Sequence, residues 1–232
     1  EAVCRLQTEG FTAYWAGGCV RDLLLGRTPR DYDIATNAVP DAVIRIFPRA
    51  VVTGKAFGVV RIPIEDASFE VATFRTDISY SDGRRPDAVA FSDAPSDALR
   101  RDFTINSMFL DPVKNELLDF VEGQRDIKDR LVRFVGKPED RIREDHLRML
   151  RAVRLSALLQ FALEPGTAIA LRQNSALIAR VNPERVREEL TRLLMESPKA
   201  GQALRLMDDL GLLVHLLPEV TAMKGQAQPP EF

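Results

Sequence analysis

The chain has 232 residues, 45% of them hydrophobic, which is enough apolar material for one large domain or two modest ones. Its 32 basic and 34 acidic residues give a net charge of −2, so any RNA contact must come from local basic clusters. With only Cys4 and Cys19, a disulfide scaffold is excluded and a reducing, cytoplasmic environment is expected. The apolar runs are far shorter than a membrane span, so we expect no membrane partner.

Short β-rich runs alternate with helical stretches over roughly the first 135 residues. Strands are predicted over residues 12–16, 31–35, 50–53, 58–64 and 68–74. A helix is predicted over 19–25, and Gly26 ends it. Residues 65 and 66 are a predicted hairpin turn, and the polar, turn-rich stretch 77–95 is predicted to be a long functional or mobile loop.

From about Pro138 onward the pattern becomes almost purely helical. Helices are predicted over residues 143–159, 165–173, 183–195 and 198–210. The sequence therefore predicts an α+β fold in two parts, a domain with a small mixed β-sheet over 1–136 and an all-α region over 137–232. The Gln/Pro-rich residues 226–232 complete no element, so we expect that the chain is truncated at its C-terminus.

The first chemical signal is the acidic pair Asp31 and Asp33. Residues i and i+2 of a strand point to the same face, so the two carboxylates are expected side by side. Such hard oxygen ligands suit Mg²⁺, and two ions about 4 Å apart can flank a phosphate. A pair of exposed aspartates at a strand end is the alternative, and it is the more frequent case when this motif stands alone.

A glycine pair, Gly17 and Gly18, leads from a predicted strand into a predicted helix shortly before the acidic pair. Backbone N–H groups at such a turn can approach a phosphate, and Arg21 adds a positive charge one turn later. A tight turn without a ligand is the alternative. Together with the acidic pair, the turn favours a nucleoside triphosphate bound with Mg²⁺.

A third carboxylate is expected on a neighbouring strand, and Glu70 is the best candidate. Alternation along the strand predicts Phe69 and Val71 on one face and Glu70 on the other. Glu70 is therefore expected to face the acidic pair, although a solvent-facing position is almost as frequent.

Three motifs, AGGCVRDLLLGRTPRDYDIATNA, RRDFTINSM and EDHLRMLRAVR, occur in this order along the chain. Together they resemble class II tRNA nucleotidyltransferases, a family of CCA-adding enzymes, their CC-adding and A-adding relatives, and bacterial poly(A) polymerases. The resemblance covers almost the whole chain. It implies a nucleotidyltransferase head over 1–136, followed by a helical neck and the start of a body domain over 137–232.

The resemblance also implies roles for individual residues. Asp31 and Asp33 would hold two Mg²⁺ ions, and Glu70, from the strand alternation, is expected to be the third catalytic carboxylate beside them. The implied nucleotide-binding residues are Gly18, Arg21, Arg101, Asp102 and Asn106. The family usually has Ala where Ser107 stands, which is a small change. A salt-bridged Arg-Asp pair between a helix and a strand is the structural alternative for the second motif.

The third motif implies a base reader. Asp145 and Arg148 are three residues apart, hence neighbours on the predicted helix. A carboxylate accepts a hydrogen bond from the exocyclic amine of C or A, and an arginine donates to the adjacent acceptor, whereas G and U present the opposite polarity. The resemblance implies that this pair selects the base and that Arg151 and Arg154 lie nearer the triphosphate. A solvated helix face with ion pairs is the alternative.

The implied function is template-independent addition of C and/or A from CTP and ATP to the 3′ end of tRNA. The terminal hydroxyl attacks the α-phosphate and pyrophosphate leaves. The loop after the Glu70 strand favours A addition, since CC-adding enzymes lack such a loop, and residues 53–58 resemble the CCA-adding type.

Several alternatives stay open at this point. They are a bacterial poly(A) polymerase, a non-catalytic nucleotide- or RNA-binding module with the same fold, and a transferase that acts on a small molecule or a protein. The acidic pair argues against the non-catalytic module, and the expected base reader argues against the small-molecule transferase. The sequence leaves the oligomeric state open.

Overall fold

The computed structural model describes residues 1–54, 58–65, 67–80 and 86–227. Within these ranges the chain forms two compact units, one up to Gly136 and one from Lys137 onward. Three predicted features fall wholly or partly outside the described residues: Asp66 of the hairpin turn, the centre of the 53–58 segment, and positions 81–85 of the predicted loop. Residues 228–232 also lie outside them.

The first unit contains both strands and helices. Its strands are β1 (Ala13–Ala16), β2 (Asp33–Thr36), β3 (Val51–Gly54), β4 (Val59–Ile64), β5 (Ala67–Thr73), β6 (Arg75–Ile78), β7 (Ala88–Phe91), β8 (Phe109–Asp111), β9 (Glu116–Leu118) and β10 (Leu131–Val132). Its helices are α1 (Ala2–Thr8), α2 (Gly18–Leu24), α3 (Pro40–Ile46), α4 (Ala94–Arg100) and α5 (Gly123–Lys128), with a 3₁₀ turn at Thr104–Asn106. The predicted strands and the predicted helix are all present.

In the described part of this unit, seven strands form one sheet in the order β3-β4-β5-β2-β1-β8-β9. The neighbours β2 and β5 run parallel, and the other neighbouring pairs run antiparallel. The predicted mixed sheet is therefore confirmed. Alternation places Ile34 and Val71 in a core with α1 and α3, because their side chains share the face that those helices cover. On the opposite face of the sheet, Ala35 belongs to a second buried apolar cluster with Ala16, Phe74 and Phe109, while Asp33 and Glu70 precede it toward the start of each strand.

The predicted loop over 77–95 is wrong at both ends. Strands β6 and β7 pair antiparallel from Arg75 opposite Phe91 to Ile78 opposite Ala88. Helix α4 then begins at Ala94, and the carboxylate of its N-cap residue, Asp93, accepts a hydrogen bond from the N–H of Ser96. Strand β6 is half-buried at Arg75, Thr76 and Asp77 and β7 is mostly exposed, so the ribbon carries no alternation of buried apolar side chains by which the sequence could reveal it.

The second unit is almost entirely helical, as predicted. It contains α6 (Pro138–Glu144), α7 (Arg148–Leu159), α8 (Pro165–Asn174), α9 (Pro183–Glu196), α10 (Ala200–Asp209), α11 (Leu213–Leu216) and α12 (Pro218–Ala222), a 3₁₀ helix at Ser175–Arg180 and the two-residue strand β11 (Ala162–Leu163). Helix α7 is its centre, buried over most of its length and packed against α9 and α10. No helix in the described ranges is long and apolar enough to cross a membrane.

One predicted helix is interrupted. The helix expected over 143–159 ends at Glu144, and a new helix begins at Arg148. Between them Asp145 adopts an extended backbone, with φ −153° and ψ 107°, and its Oδ1 accepts a hydrogen bond from the N–H of Leu147 at 3.1 Å. An aspartate that binds a backbone N–H two residues ahead competes with the helical hydrogen bonds, so the chain breaks here without proline or glycine.

Gly123 gives a test of the packing in the first unit. A Cβ atom there would lie 2.5 Å from the carbonyl oxygen of Thr104 and 2.9 Å from Sδ of Met108. We expect Gly123→Ala to lower the free energy of unfolding by about 1–3 kcal/mol through overpacking, measured by urea denaturation.

The matched control is Gly201→Ala in α10, where a Cβ atom would meet open space. That variant should be unchanged, or more stable by up to about 1 kcal/mol. A Gly123→Ala protein with the wild-type unfolding midpoint would contradict the close packing at this glycine.

Candidate active site

An acidic cavity lies in the first unit, at the start of strands β2 and β5. It measures about 410 Å³ and is lined by Asp31, Tyr32, Asp33, Arg61, Ser68 and Glu70. In the parallel register Ile34 pairs with Val71, and one step earlier this register places Asp33 beside Glu70. The structure therefore brings the three predicted carboxylates to one cavity.

Asp31 does not lie on a strand, so the predicted side-by-side placement of Asp31 and Asp33 on one strand face is wrong. Strand β2 begins at Asp33, which pairs with Ala16, the last residue of β1, and Asp31 lies before the strand. The partner strand ends there because Gly17 turns the chain into α2. Asp31 reaches the cavity from the preceding segment rather than from the strand face.

Desolvation and repulsion between carboxylates together set the electrostatics of the cavity. The pKa of Asp33 is raised above its ordinary value because its surroundings desolvate the charge and because Glu70 carries a like charge. The guanidinium of Arg101 opposes this shift, and Asp31 adds to it. Such a concentration of like charges favours the binding of a cation.

The carboxylates do not form a closed metal cage. In the part of the chain that the structure describes, no group of three or more His, Cys, Asp or Glu side chains is arranged to hold a metal ion by itself. An open set of one or two carboxylates is typical of Mg²⁺ sites in which substrate phosphates complete the coordination. The donor set therefore fits a magnesium ion bound together with a phosphate.

The glycine turn lies directly against this cavity. Gly17 has a φ of +79°, and a Cβ atom there would lie 3.4 Å from Nη1 of Arg101 and 3.8 Å from Oδ2 of Asp33. A side chain at Gly17 would fill the space between the guanidinium of Arg101 and the carboxylate of Asp33. Gly18, the predicted contact, instead lies against the guanidinium of Arg21, since a Cβ atom at Gly18 would lie 3.5 Å from Nη2.

Three of the predicted nucleotide-binding residues meet at this turn. Arg21 is buried, and its Nη1 donates to Oδ1 of Asn106 at 2.7 Å while Nε donates to Asp22 at 2.8 Å. Nη1 of Arg101 donates to the carbonyl oxygen of Asn106 at 3.5 Å. Asn106 therefore fixes both arginines near Gly17.

The hydrogen bond shown for Asp102 is not to Arg21, Arg101 or Asn106. Its side chain is buried, and Oδ1 accepts a hydrogen bond from the N–H of Phe103 at 2.9 Å. This contact supports the backbone that leads to the 3₁₀ turn. It gives no direct support to the predicted role in ribose binding.

Asp97 is a residue of this site that the sequence analysis missed. Its Oδ2 accepts from Nη2 of Arg101 at 2.8 Å, and its Oδ1 accepts from Nη2 of Arg100 at 2.6 Å. Burial disfavours the charged form, but Arg101 and Arg100 outweigh burial and lower the pKa of Asp97. The spacing of three and four residues between an acid and two arginines could have revealed it.

In the second unit, Asp145 is buried and binds Arg185 rather than Arg148. Nη1 of Arg185 donates to Oδ1 of Asp145 at 3.1 Å, and Nη2 donates to Oδ2 at 2.8 Å. Because Asp145 lies outside a helix, the predicted neighbour relation with Arg148 on one helix surface is wrong. Arg185, in the first turn of α9, was not predicted from the sequence.

The other arginines of the third motif differ in their surroundings. Arg148 binds the carboxylate of Glu144 and donates to the carbonyl oxygen of Arg141 at 3.3 Å. Arg154 is buried, and its Nε donates to Glu189 at 2.5 Å, which ties α7 to α9. Arg151 is half-buried. The buried ion pair suits a structural role for Arg154 better than a phosphate contact.

Comparison with known proteins decides the family. The family described as the poly A polymerase head domain matches residues 13–133, more than half of the chain. The chain belongs to that family. A second family, described as the probable RNA and SrmB-binding site of polymerase A, matches residues 160–224.

Curated relatives of this family member include CCA-adding enzymes. The enzyme of Geobacillus kaustophilus is 43% identical over 213 residues, which are 91% of this chain and 52% of the relative. The enzyme of Lactobacillus johnsonii is 43% identical over 208 residues, 89% of this chain and 52% of the relative. The chain thus spans about half the length of these relatives, and the resemblance to class II tRNA nucleotidyltransferases is confirmed.

Solved structures agree with this assignment. The CCA-adding enzyme of Bacillus stearothermophilus in complex with CTP superposes with a TM-score of 0.85 at 40% identity, covering 93% of this chain and 52% of that one. A tRNA nucleotidyltransferase complexed with a primer tRNA and an incoming ATP analogue has a TM-score of 0.79 at 25% identity, covering 100% of this chain and 65% of that one. These matches confirm the predicted fold class.

Charge repulsion in the acidic cavity leads to a stability prediction. Without divalent ions, Asp33→Asn should melt higher than the wild type at neutral pH, because it removes a carboxylate whose ionised form is disfavoured in the folded state. The gain should be on the order of 1–3 °C, since the cavity is open to solvent. It should vanish below about pH 4, where the wild-type carboxyl is also protonated.

Melting curves of both proteins in EDTA and in Mg²⁺ measure this effect. Mg²⁺ should raise the melting temperature of the wild type more than that of Asp33→Asn. The control Asp129→Asn removes an exposed carboxylate beside Arg125 and should gain no stability. A lower melting temperature for Asp33→Asn in EDTA would contradict the repulsion.

Proposed function

We propose that the chain is the catalytic part of a tRNA nucleotidyltransferase that adds C and/or A from CTP and ATP to the 3′ end of tRNA without a template. The observation that carries the proposal is the convergence of Asp31, Asp33 and Glu70 on one cavity, beside a turn held by Arg21 and Arg101. The CCA-adding relatives support the same activity. We place this activity in the cytoplasm, consistent with two free cysteines.

In this proposal Asp31 and Asp33 hold two Mg²⁺ ions, and Glu70 supplies further negative charge at the cavity wall. The bound ions would lower the pKa of the tRNA 3′ hydroxyl and neutralise charge on the nucleotide phosphates. The other contributions come from side chains and backbone of the chain itself. Arg101 and Arg21 provide positive charge beside the Gly17 turn, and the absence of a side chain at Gly17 keeps that approach open for the triphosphate.

The proposed base reader uses Asp145 and Arg148, as the sequence predicts, but Asp145 is oriented by Arg185. A carboxylate has about four acceptor sites. Arg185 occupies one on each oxygen, and the N–H of Leu147 occupies a second on Oδ1. The acceptor site left on Oδ2 suits a single N–H donor, such as the exocyclic amine of C or A.

A bacterial poly(A) polymerase is the second candidate, because both matched families are described in terms of that enzyme. Substrates separate the two functions. The chain is incubated with Mg²⁺, labelled CTP or ATP, and tRNAs that lack the last one, two or three nucleotides. A CCA-adding enzyme stops when the end is complete, whereas a poly(A) polymerase extends the RNA by many A residues. A non-catalytic module incorporates nothing.

The same assay tests the acidic pair. Asp31→Ala and Asp33→Ala should each abolish incorporation, because each removes a proposed Mg²⁺ ligand. Circular dichroism should show that both variants stay folded, since neither side chain belongs to a hydrophobic core cluster. Asp140→Ala, which removes an exposed carboxylate of α6, should keep wild-type activity. Substantial turnover by either acidic-pair variant would rule out the metal assignment.

Base selection is tested at Asp145. Asp145→Ala removes the acceptor for the exocyclic amine, so discrimination against UTP and GTP should fall about ten- to a hundredfold, in line with about 1–3 kcal/mol per base contact. In contrast, Arg151→Ala should raise the KM for all four nucleotides alike, because phosphate contacts carry no base information. Relative kcat/KM values for CTP, ATP, UTP and GTP measure both effects.

Glu188→Ala, on an exposed position of α9, is the control and should leave selection unchanged. Should Asp145→Ala retain the wild-type preference for CTP and ATP, Asp145 would be a structural partner of Arg185 only.

A further inference from the structure

Asp97 connects two parts of the first unit that the proposed mechanism treats separately. Its side chain is fully buried in α4, with a relative exposure of 0%. Its Oδ2 accepts hydrogen bonds from Arg101 of the candidate site, and its Oδ1 accepts one from the N–H of Arg75 at the start of β6. The carboxylate therefore connects Arg101 to the base of the β6–β7 hairpin.

On the side of the cavity, Oδ2 of Asp97 accepts from Nε of Arg101 at 3.0 Å and from Nη2 at 2.8 Å. The guanidinium is planar and rigid, so fixing two of its nitrogens fixes the third. That third nitrogen, Nη1, lies beside the carbonyl oxygen of Asn106 and against Gly17. The ring of Phe109 packs under the same guanidinium, with its centroid 5.0 Å from Cζ. Arg101 therefore presents Nη1 to the turn beside Asp33.

On the side of the hairpin, Oδ1 of Asp97 accepts from the N–H of Arg75, the first residue of β6, at 3.2 Å. It also accepts from Nη2 of Arg100 at 2.6 Å, and Nε of Arg100 donates to the carbonyl oxygen of Arg75 at 3.0 Å. Asp77, two residues along β6, binds Nε of Arg75 at 3.1 Å. The start of the hairpin is thus held to α4 by charge-assisted hydrogen bonds.

We propose that Asp97 is a positioning residue that holds Arg101 ready for the nucleotide triphosphate and ties it to the base of the β6–β7 hairpin. This inference rests on the proposed function, because it assigns Arg101 to the triphosphate. Asp97 itself touches no reacting group. Its role is to present Nη1 of Arg101 at the cavity before the nucleotide binds, so that this nitrogen needs no reordering on binding.

Asp97→Asn is the decisive variant. The amide keeps one acceptor oxygen but replaces the other with an NH₂ donor, which faces a guanidinium and cannot bind it. Whichever arginine the remaining oxygen faces, the negative charge is gone, so the contact with Arg101 is weakened or lost. We expect the KM for both CTP and ATP to rise about tenfold while kcat changes little, because the loss is one charge-assisted hydrogen bond to a binding group. Calorimetry should show the same tenfold weakening of CTP binding in Mg²⁺.

A merely structural role gives a different result. It would lower the folded fraction, and hence kcat per total protein, at an unchanged KM. The control Asp93→Asn makes the same chemical change at the exposed N-cap of α4, where Asn caps equally well, so it should leave both constants at wild-type values. An unchanged KM in Asp97→Asn, with the protein folded, would overturn the proposal.

The path of the effect is tested by a double-mutant cycle with Arg101→Ala. If Asp97 acts through Arg101, adding Asp97→Asn to Arg101→Ala should weaken CTP binding no further. Independent, additive losses would overturn the proposal. If Asp97→Asn fails to fold, Asp97→Glu takes its place in both tests. It keeps both acceptors and the charge, so it should fold, and its displaced carboxylate should still raise the KM.

CTP binding also separates this inference from the proposed function. A wild-type chain that binds CTP but adds no nucleotide to tRNA would refute the proposed function. The double-mutant cycle of CTP binding would still show whether Asp97 acts through Arg101. Wild-type CTP affinity in Asp97→Asn, in a chain that does extend tRNA, would refute the inference alone.

Discussion

The parallel pairing of β2 with β5 determines where the chemistry of the first unit lies. In a parallel pair the side chains of partnered residues project to the same face, so Ile34 and Val71 enter the core together. Asp33 and Glu70, one position earlier in each strand, then meet on the opposite face. The apolar pattern that stabilises the sheet is therefore also what forces two like charges together. Their repulsion makes the cavity a place for a cation and for the phosphates that accompany it.

Around that cavity, the buried hydrogen bonds of the arginines orient their guanidinium groups more than they stabilise the fold. A buried ion pair loses much of its Coulomb energy to desolvation, so its clearest effect is to fix geometry. Asp97 fixes Arg101, and Asn106 fixes Arg21 through a side-chain amide. Arginine suits these contacts because its planar fork can bind one partner while a further N–H stays directed elsewhere.

The same principle holds in the second unit, where a break between two helices fixes the buried carboxylate of Asp145, the proposed base reader. A carboxylate within a continuous helix could rotate freely on the helix surface. At Asp145 the extended backbone, the N–H of Leu147 and the fork of Arg185 leave the carboxylate one orientation. Hydrogen-bond polarity can discriminate between bases only when the reading group is held in this way, because a mobile acceptor could be replaced by water.

The sequence by itself determined the fold class and the strands of the sheet except β8 and β9, and it predicted the carboxylates that line the cavity, because alternation, glycine turns and motif spacing are local properties. It could not show the β6–β7 ribbon, whose strands have no alternation of buried apolar side chains. Nor could it assign Arg185 as the partner of Asp145, because the two residues are far apart in the chain and packing brings them together. The break before Arg148 depends on a side chain that competes with helical hydrogen bonds. Tertiary structure alone decides which charges meet.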